Sequence, residues 1–130
     1  MVVRTFQLQD YMEVSTLLEN NLSAVFLEKT ITVFAKQLYW DSDLIVVEQK
    51  NNRIIGVIIG NIRDQQGLLY RITVEGNDQN SEIERALVDS LVRRFQKLKA
   101  RSISILLDND TLQKPLFLSL GYTEADFITQ

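Results

Sequence analysis

The chain has 130 residues, 45% hydrophobic and 24% charged, proportions that suit one compact globular domain and argue against two. Its 14 basic residues stand against 17 acidic ones, a net charge of -3, so no basic surplus exists to hold a phosphate backbone and nucleic acid is not an expected partner. There is no cysteine and no histidine, which excludes disulfides, thiolate chemistry, a Ser-His-Asp triad and the commonest zinc ligand.

Residues Val2 to Gln7 are short, β-branched and aromatic, and read as a first strand. Asp10 stands three residues before Glu13, the spacing of a helix N-cap and its reciprocal partner. Tyr11, Val14, Leu17 and Leu18 follow at helical spacing, and Asn20-Asn21 marks the stop. A second helix is expected from about Thr30 to Trp40, with Ile31, Phe34, Ala35 and Leu38 on one face; Asp41-Ser42-Asp43 breaks it. Three strands come next: Leu44 to Gln49, Ile54 to Ile62 interrupted by Gly56 and Gly60, and Leu68 to Val74. The turns between them, Lys50-Asn51-Asn52-Arg53 and Asp64-Gln65-Gln66-Gly67, are short enough to demand antiparallel neighbours. Ile83, Leu87, Leu91, Phe95 and Leu98 then recur at helical spacing behind a capping-box match of Ser81 with Glu84. Arg101 to Leu107 reads as a strand, Leu112 to Leu120 as a helix stopped by Gly121, and Tyr122 to Thr129 as a last strand. The order is β-α-α-β-β-β-α-β-α-β, a single α/β domain.

Few residues announce chemistry. There is no Walker loop and no dinucleotide-binding glycine fingerprint. The acid pairs Asp41, Asp43 and Asp108, Asp110 fit no calcium loop. Arg93-Arg94 with Lys97 and Lys99 reads as the solvated face and C-terminal dipole partner of its helix. No stretch approaches the ~18 apolar residues of a membrane span. The start Met1-Val2-Val3-Arg4-Thr5-Phe6 has no basic region followed by an apolar signal core, so the cytoplasm is the expected compartment and a membrane is not an expected partner.

Three segments carry a resemblance. Leu116-Phe117-Leu118-Ser119-Leu120-Gly121-Tyr122 ends a helix on glycine and follows it with an aromatic residue. Arg53-Ile54-Ile55-Gly56 opens a strand, and Ile72-Thr73-Val74 feeds a loop and a long amphipathic helix. In this order and spacing, across nearly the whole chain, they resemble the GNAT superfamily of acyl-CoA-dependent N-acetyltransferases. The resemblance implies a mixed, mostly antiparallel twisted sheet flanked by helices, with acetyl-CoA as cofactor. It also implies a small-molecule or protein amine as acceptor. The backbone of Ile72, Thr73 and Val74 would meet the pantetheine arm, and Gln79, Asn80, Ser81, Glu82, Ile83 and Glu84 would face the pyrophosphate. Asn109 and Phe117 would lie on the cofactor side of the following elements.

Two departures bear on activity. Glu82 and Glu84 occupy the positions where the family places glycines that close around the pyrophosphate. Their charges favour the helix terminus by about 0.3–1 kcal/mol but repel a polyanion. Phe117 stands where many members carry a tyrosine that protonates the departing thiolate; phenylalanine has no proton to give, and a core aromatic is its alternative role. A base for the amine is sought in Tyr70, against the alternative of a half-buried strand aromatic, and in Glu48, against that of an exposed strand charge. Two functions remain open: an N-acetyltransferase, or a catalytically silent relative that binds or regulates, acting as a homodimer.

Overall fold

The computed structural model describes residues 1–76, 81–108 and 113–129, with the backbone alone for Ser81. Among these residues six strands form one sheet in chain order: β1 (Val2–Thr5), β2 (Ile45–Lys50), β3 (Arg53–Arg63), β4 (Gln66–Val74), β5 (Ser102–Leu107) and β6 (Phe127–Thr129). The pairs from β1 to β4 are antiparallel, while β4–β5 and β5–β6 are parallel. Among the described residues four α-helices flank the sheet: α1 (Tyr11–Asn21), α2 (Ala24–Trp40), α3 (Ser81–Lys97) and α4 (Lys114–Ser119). The expected mixed, mostly antiparallel α/β architecture is therefore the one observed. A crossover through a helix is what lets consecutive strands run parallel.

The core has two halves, one on each face of the sheet. Val14, Leu17 and Leu18 of α1 and Phe34 of α2 pack on Ile45, Val47, Val57 and Ile59. On the other face Ile83, Leu87, Val88, Leu91 and Phe95 of α3 pack on Val46, Ile58, Leu69 and Ile72. The four-residue spacing read in the sequence is the buried stripe of α3; Leu98 falls just past its end and is exposed. The helix lies so close that a Cβ on Gly60 would come within 2.9 Å of Leu91 Cδ1 and Phe95 Cζ. Glycine here admits the helix, and β3 runs through Gly56 and Gly60 without interruption.

Several boundaries differ from expectation. The β3–β4 hairpin forms, but its turn is the pair Asp64 and Gln65, both with positive φ, and Gly67 lies within β4 opposite Ile62. The first strand stops at Thr5 because Leu8–Asp10 coils into a 3-10 turn. Asp10 does not cap α1: its carboxylate accepts from Arg4 at 2.7 and 2.9 Å and from the Gln7 N–H at 2.8 Å. Glu13 instead accepts from the Ile54 N–H at 2.6 Å, tying α1 to β3. The second helix begins at Ala24, six residues before the expected Thr30, because Ala24 to Leu27 continues the helix behind an extended Ser23. Arg94 is no solvated charge, since it donates to Thr5 Oγ1 and the Asp43 carbonyl, each at 2.7 Å.

The end of α4 matches its sequence signature. Gly121 has φ +100°, its N–H donates to the Leu118 carbonyl, and the Tyr122 N–H donates to that of Phe117. The final strand is shorter than Tyr122 to Thr129. A 3-10 turn over Glu124–Asp126, capped by Thr123, uses up its first half.

Candidate functional site

The site is set by an irregularity in β4. Ile59 lies opposite Arg71 and Gly60 opposite Leu69, so Tyr70 is an extra residue on β4. A bulge of this kind bends its strand and raises the local twist. The ladder between β4 and β5 ends at the same place. Leu69 with Ile105 is its last pair, although β4 continues to Val74 and β5 to Leu107. Beyond the bulge the two parallel strands are no longer laddered, which leaves a split between them, while the other edge of β5 pairs with β6 as far as Leu107.

On the α3 face this split is bounded by Ile72 and Val74 of β4, Ile83 in the first turn of α3 and Phe117 of α4, all in one buried cluster. Three elements named by the sequence reading thus converge. Thr73 points to the opposite face, level with Val57, and its buried Oγ1 has no hydrogen-bond partner among the described residues. Glu82 is exposed. Glu84 is partly buried, and burial pushes its carboxyl above the usual range. Gln79, Asn80 and Asn109 lie outside the described residues, as does the side chain of Ser81; α3 begins at Ser81 itself. Phe117 is fully buried and meets Tyr122 and Phe127 edge-on, at 6.1 and 6.4 Å between ring centres. Tyr122 carries the nearest phenol to it in this ring set. Burial and the Asp126 and Asp89 carboxylates push that phenol up.

The two candidate bases fall on opposite faces of the sheet. Tyr70 is buried among α1, α2 and the sheet rather than half-exposed. Glu48 lies opposite Gly56, whose missing Cβ would touch Leu87, so it faces α3. It is no exposed strand charge, being only 2% exposed, and its Oε2 has no hydrogen-bond partner among the described residues. Burial raises its pKa, and the chain's amino terminus opposes the shift. With β3 between them, Glu48 and the split do not meet.

Sequence reading missed the strongest polar feature. The Arg71 guanidinium donates to both carboxylate oxygens of Asp108 at 2.8 and 2.6 Å, and both side chains are wholly buried. Arg71 lies opposite Ile59, hence on the α1/α2 face. The Phe26 ring, in the first turn of α2, is centred 5.6 Å from the guanidinium carbon, and the Tyr70 ring 5.7 Å. The available signal was a charge set between Tyr70 and Ile72 in an otherwise uncharged strand. Nearby, Glu13, Leu17, Asn21, Arg53, Ile54 and Glu75 line an open groove of about 460 Å³ between α1 and the start of β3, beside the residue that follows β4.

No family model matches the sequence, and no curated protein matches it. Solved structures do match its shape. A GNAT family acetyltransferase from Brucella melitensis in complex with acetyl-CoA is 16% identical with a TM-score of 0.78, covering 95% of this chain and 83% of that one. An N-acetyltransferase from Staphylococcus aureus is 15% identical with a TM-score of 0.76, covering 95% and 84%. PaiA N-acetyltransferase from Thermoplasma acidophilum in complex with coenzyme A is 11% identical with a TM-score of 0.74, covering 94% and 89%. The chain has the GNAT acyltransferase fold. Among the described residues, no helix is long and apolar enough to cross a membrane.

Proposed function

We propose that this protein is an N-acetyltransferase of the GNAT type, moving an acetyl group from acetyl-CoA to an amine. The observation that carries the reading is the Tyr70 bulge, which ends the β4–β5 ladder at Leu69 and leaves a split lined by β4 backbone. A parted pair of strands suits an extended, amide-bearing arm, because the strand edge offers the donors and acceptors that a neighbouring strand would use. The pyrophosphate end fits less well, since Glu82 and Glu84 stand in the first turn of α3. Structural neighbours crystallised with coenzyme A or acetyl-CoA support the same assignment.

Acetyl-CoA would supply the activated thioester. The chain's own contribution is positional. The β4 backbone of Ile72, Thr73 and Val74 would hold the acyl-CoA arm beside the bulge, and a backbone N–H there would supply a donor for the charge that builds on the acyl oxygen. Ile72, Val74, Ile83 and Phe117 keep one side of the split dry. Phe117 has no proton to give, so as the new C–N bond forms and the C–S bond breaks the departing thiolate would take its proton from solvent, and the nitrogen would lose its own to solvent.

A second reading, a catalytically silent binding or regulatory protein, draws on the buried Phe117 ring with the partly buried Tyr122 and Phe127 rings against it, and on the carboxylates at the start of α3. One experiment separates the two: calorimetric titration with acetyl-CoA, followed by free-thiol release with a panel of small amines and peptides. Saturable binding with amine-dependent thiol release supports the transferase. Binding without release supports the silent reading. No binding up to millimolar acetyl-CoA defeats the transferase.

A further inference from the structure

We propose that Arg71 and Asp108 form a clasp that fixes the width of the β4–β5 split on its α1/α2 face. The inference takes its ligand, an acyl-CoA arm, from the reading above; the clasp itself rests on geometry alone.

Parallel strands are normally held at their spacing by ladder hydrogen bonds, and here those end at Leu69 and Ile105. Across the bulge Leu69 and Arg71 face the adjacent residues Gly60 and Ile59, so at ~3.3 Å per residue Arg71 stands about one step, ~3 Å, and Asp108 ~10 Å beyond that last rung. The pair therefore bridges the gap inside the split and not at its vertex. Its two parallel hydrogen bonds, 2.8 and 2.6 Å, define both distance and orientation, as fork-to-carboxylate contacts do. Phe26 roofs the guanidinium and keeps water from it.

A merely cohesive role is a poor account of these residues. Apolar side chains of similar size hold two elements together at least as well as a buried ion pair, which must first be stripped of water. What the pair adds is a set separation. A side-chain link leaves the backbone edges of Tyr70–Val74 outside the β4–β5 ladder, where a ligand's amides can use them, and still prevents the strands from gaping or collapsing. Lysine could not replace Arg71 here, because a point charge on a flexible stem lacks the planar fork.

Amide hydrogen exchange on the full chain without ligand tests the clasp. In Asp108→Asn the buried Arg71 charge loses its carboxylate and draws water into the split. Amides of Tyr70–Val74 and Leu106–Asp108 should then exchange at least tenfold faster, while those of Ile54–Ile59 change less than twofold. Arg71→Lys should give a smaller acceleration confined to the same segments, and it decides alone if Asp108→Asn does not fold. Equal acceleration of both regions, or none in either, overturns the clasp. An acetyl-CoA titration of the same proteins separates the two proposals. Local opening without acetyl-CoA binding keeps the clasp and sinks the transferase reading. Binding with unchanged exchange does the reverse.

Discussion

At Glu48 a carboxyl is buried with its Oε2 lacking a hydrogen-bond partner among the described residues, and it burdens the folded state most when ionised. Burial raises its folded pKa above the ordinary carboxyl value of 4.5. Below that value both states hold the proton and no penalty exists. As pH rises through it, the unfolded chain ionises first and stability falls, until the folded carboxyl ionises too and the penalty levels off. Glu48→Gln should remove this slope and add on the order of 1 kcal/mol at neutral pH. Urea melts at pH 4 and pH 7 check it; a variant that keeps the parent's slope would place the titration elsewhere. Sequence reading handled such residues unevenly. Phe117 was legible as a core aromatic because its helical neighbours Leu116 and Leu120 announce the buried face. Glu48 was not, because a strand's polar residue is buried or exposed according to what packs on that face. Arg71 was not, because its meaning lies in a partner 37 residues away.

Among the elements, the β3–β4 hairpin turns on Asp64 and Gln65, with φ of 53° and 66°. Two left-handed residues match the twist of a two-residue hairpin, but glutamine has no side chain that favours the conformation. Gln65→Gly should therefore stabilise the protein by about 0.5–1 kcal/mol, less whatever glycine adds to the unfolded chain's freedom. Thermal melts of parent and variant measure it, and a lower melting temperature would mean that the Gln65 side chain holds the turn. The hairpin was readable because two apolar runs flank a short polar connection. Its turn residues were misplaced because Gly67 attracted the turn, whereas the structure uses that glycine to admit Phe95. α3 was legible through its four-residue stripe. The Tyr70 bulge was invisible, because a bulge exists only in the register between two strands. The Asp10–Glu13 spacing misled for a related reason: Arg4 and the Ile54 N–H, both distant from a local cap, took the two carboxylates.

For the whole molecule, the acids at the start of α3 set fold stability against ligand affinity. Replacing Glu82 and Glu84 together by glycine removes two charges that favour the helix terminus and costs about 1 kcal/mol per glycine. The variant should be less stable and bind acetyl-CoA more tightly, with the gain shrinking as salt is added. Calorimetry showing no gain would clear the carboxylates of blocking the site. The topology has a kinetic side as well. β2, β3 and β4 are joined by tight turns and close their contacts over short loops, whereas β5 and β6 reach the sheet only after helical crossovers. Loop closure puts the near-neighbour hairpins first, so the transition state for folding should hold β2–β4 and leave β5 outside it. Val57→Ala should then slow refolding, and Ile105→Val should mainly speed unfolding, which stopped-flow chevrons resolve. Arg71 would keep its shell of water through the rate-limiting step and surrender it only as Asp108 arrives, so the last bond made in folding would act chiefly as a brake on its reversal.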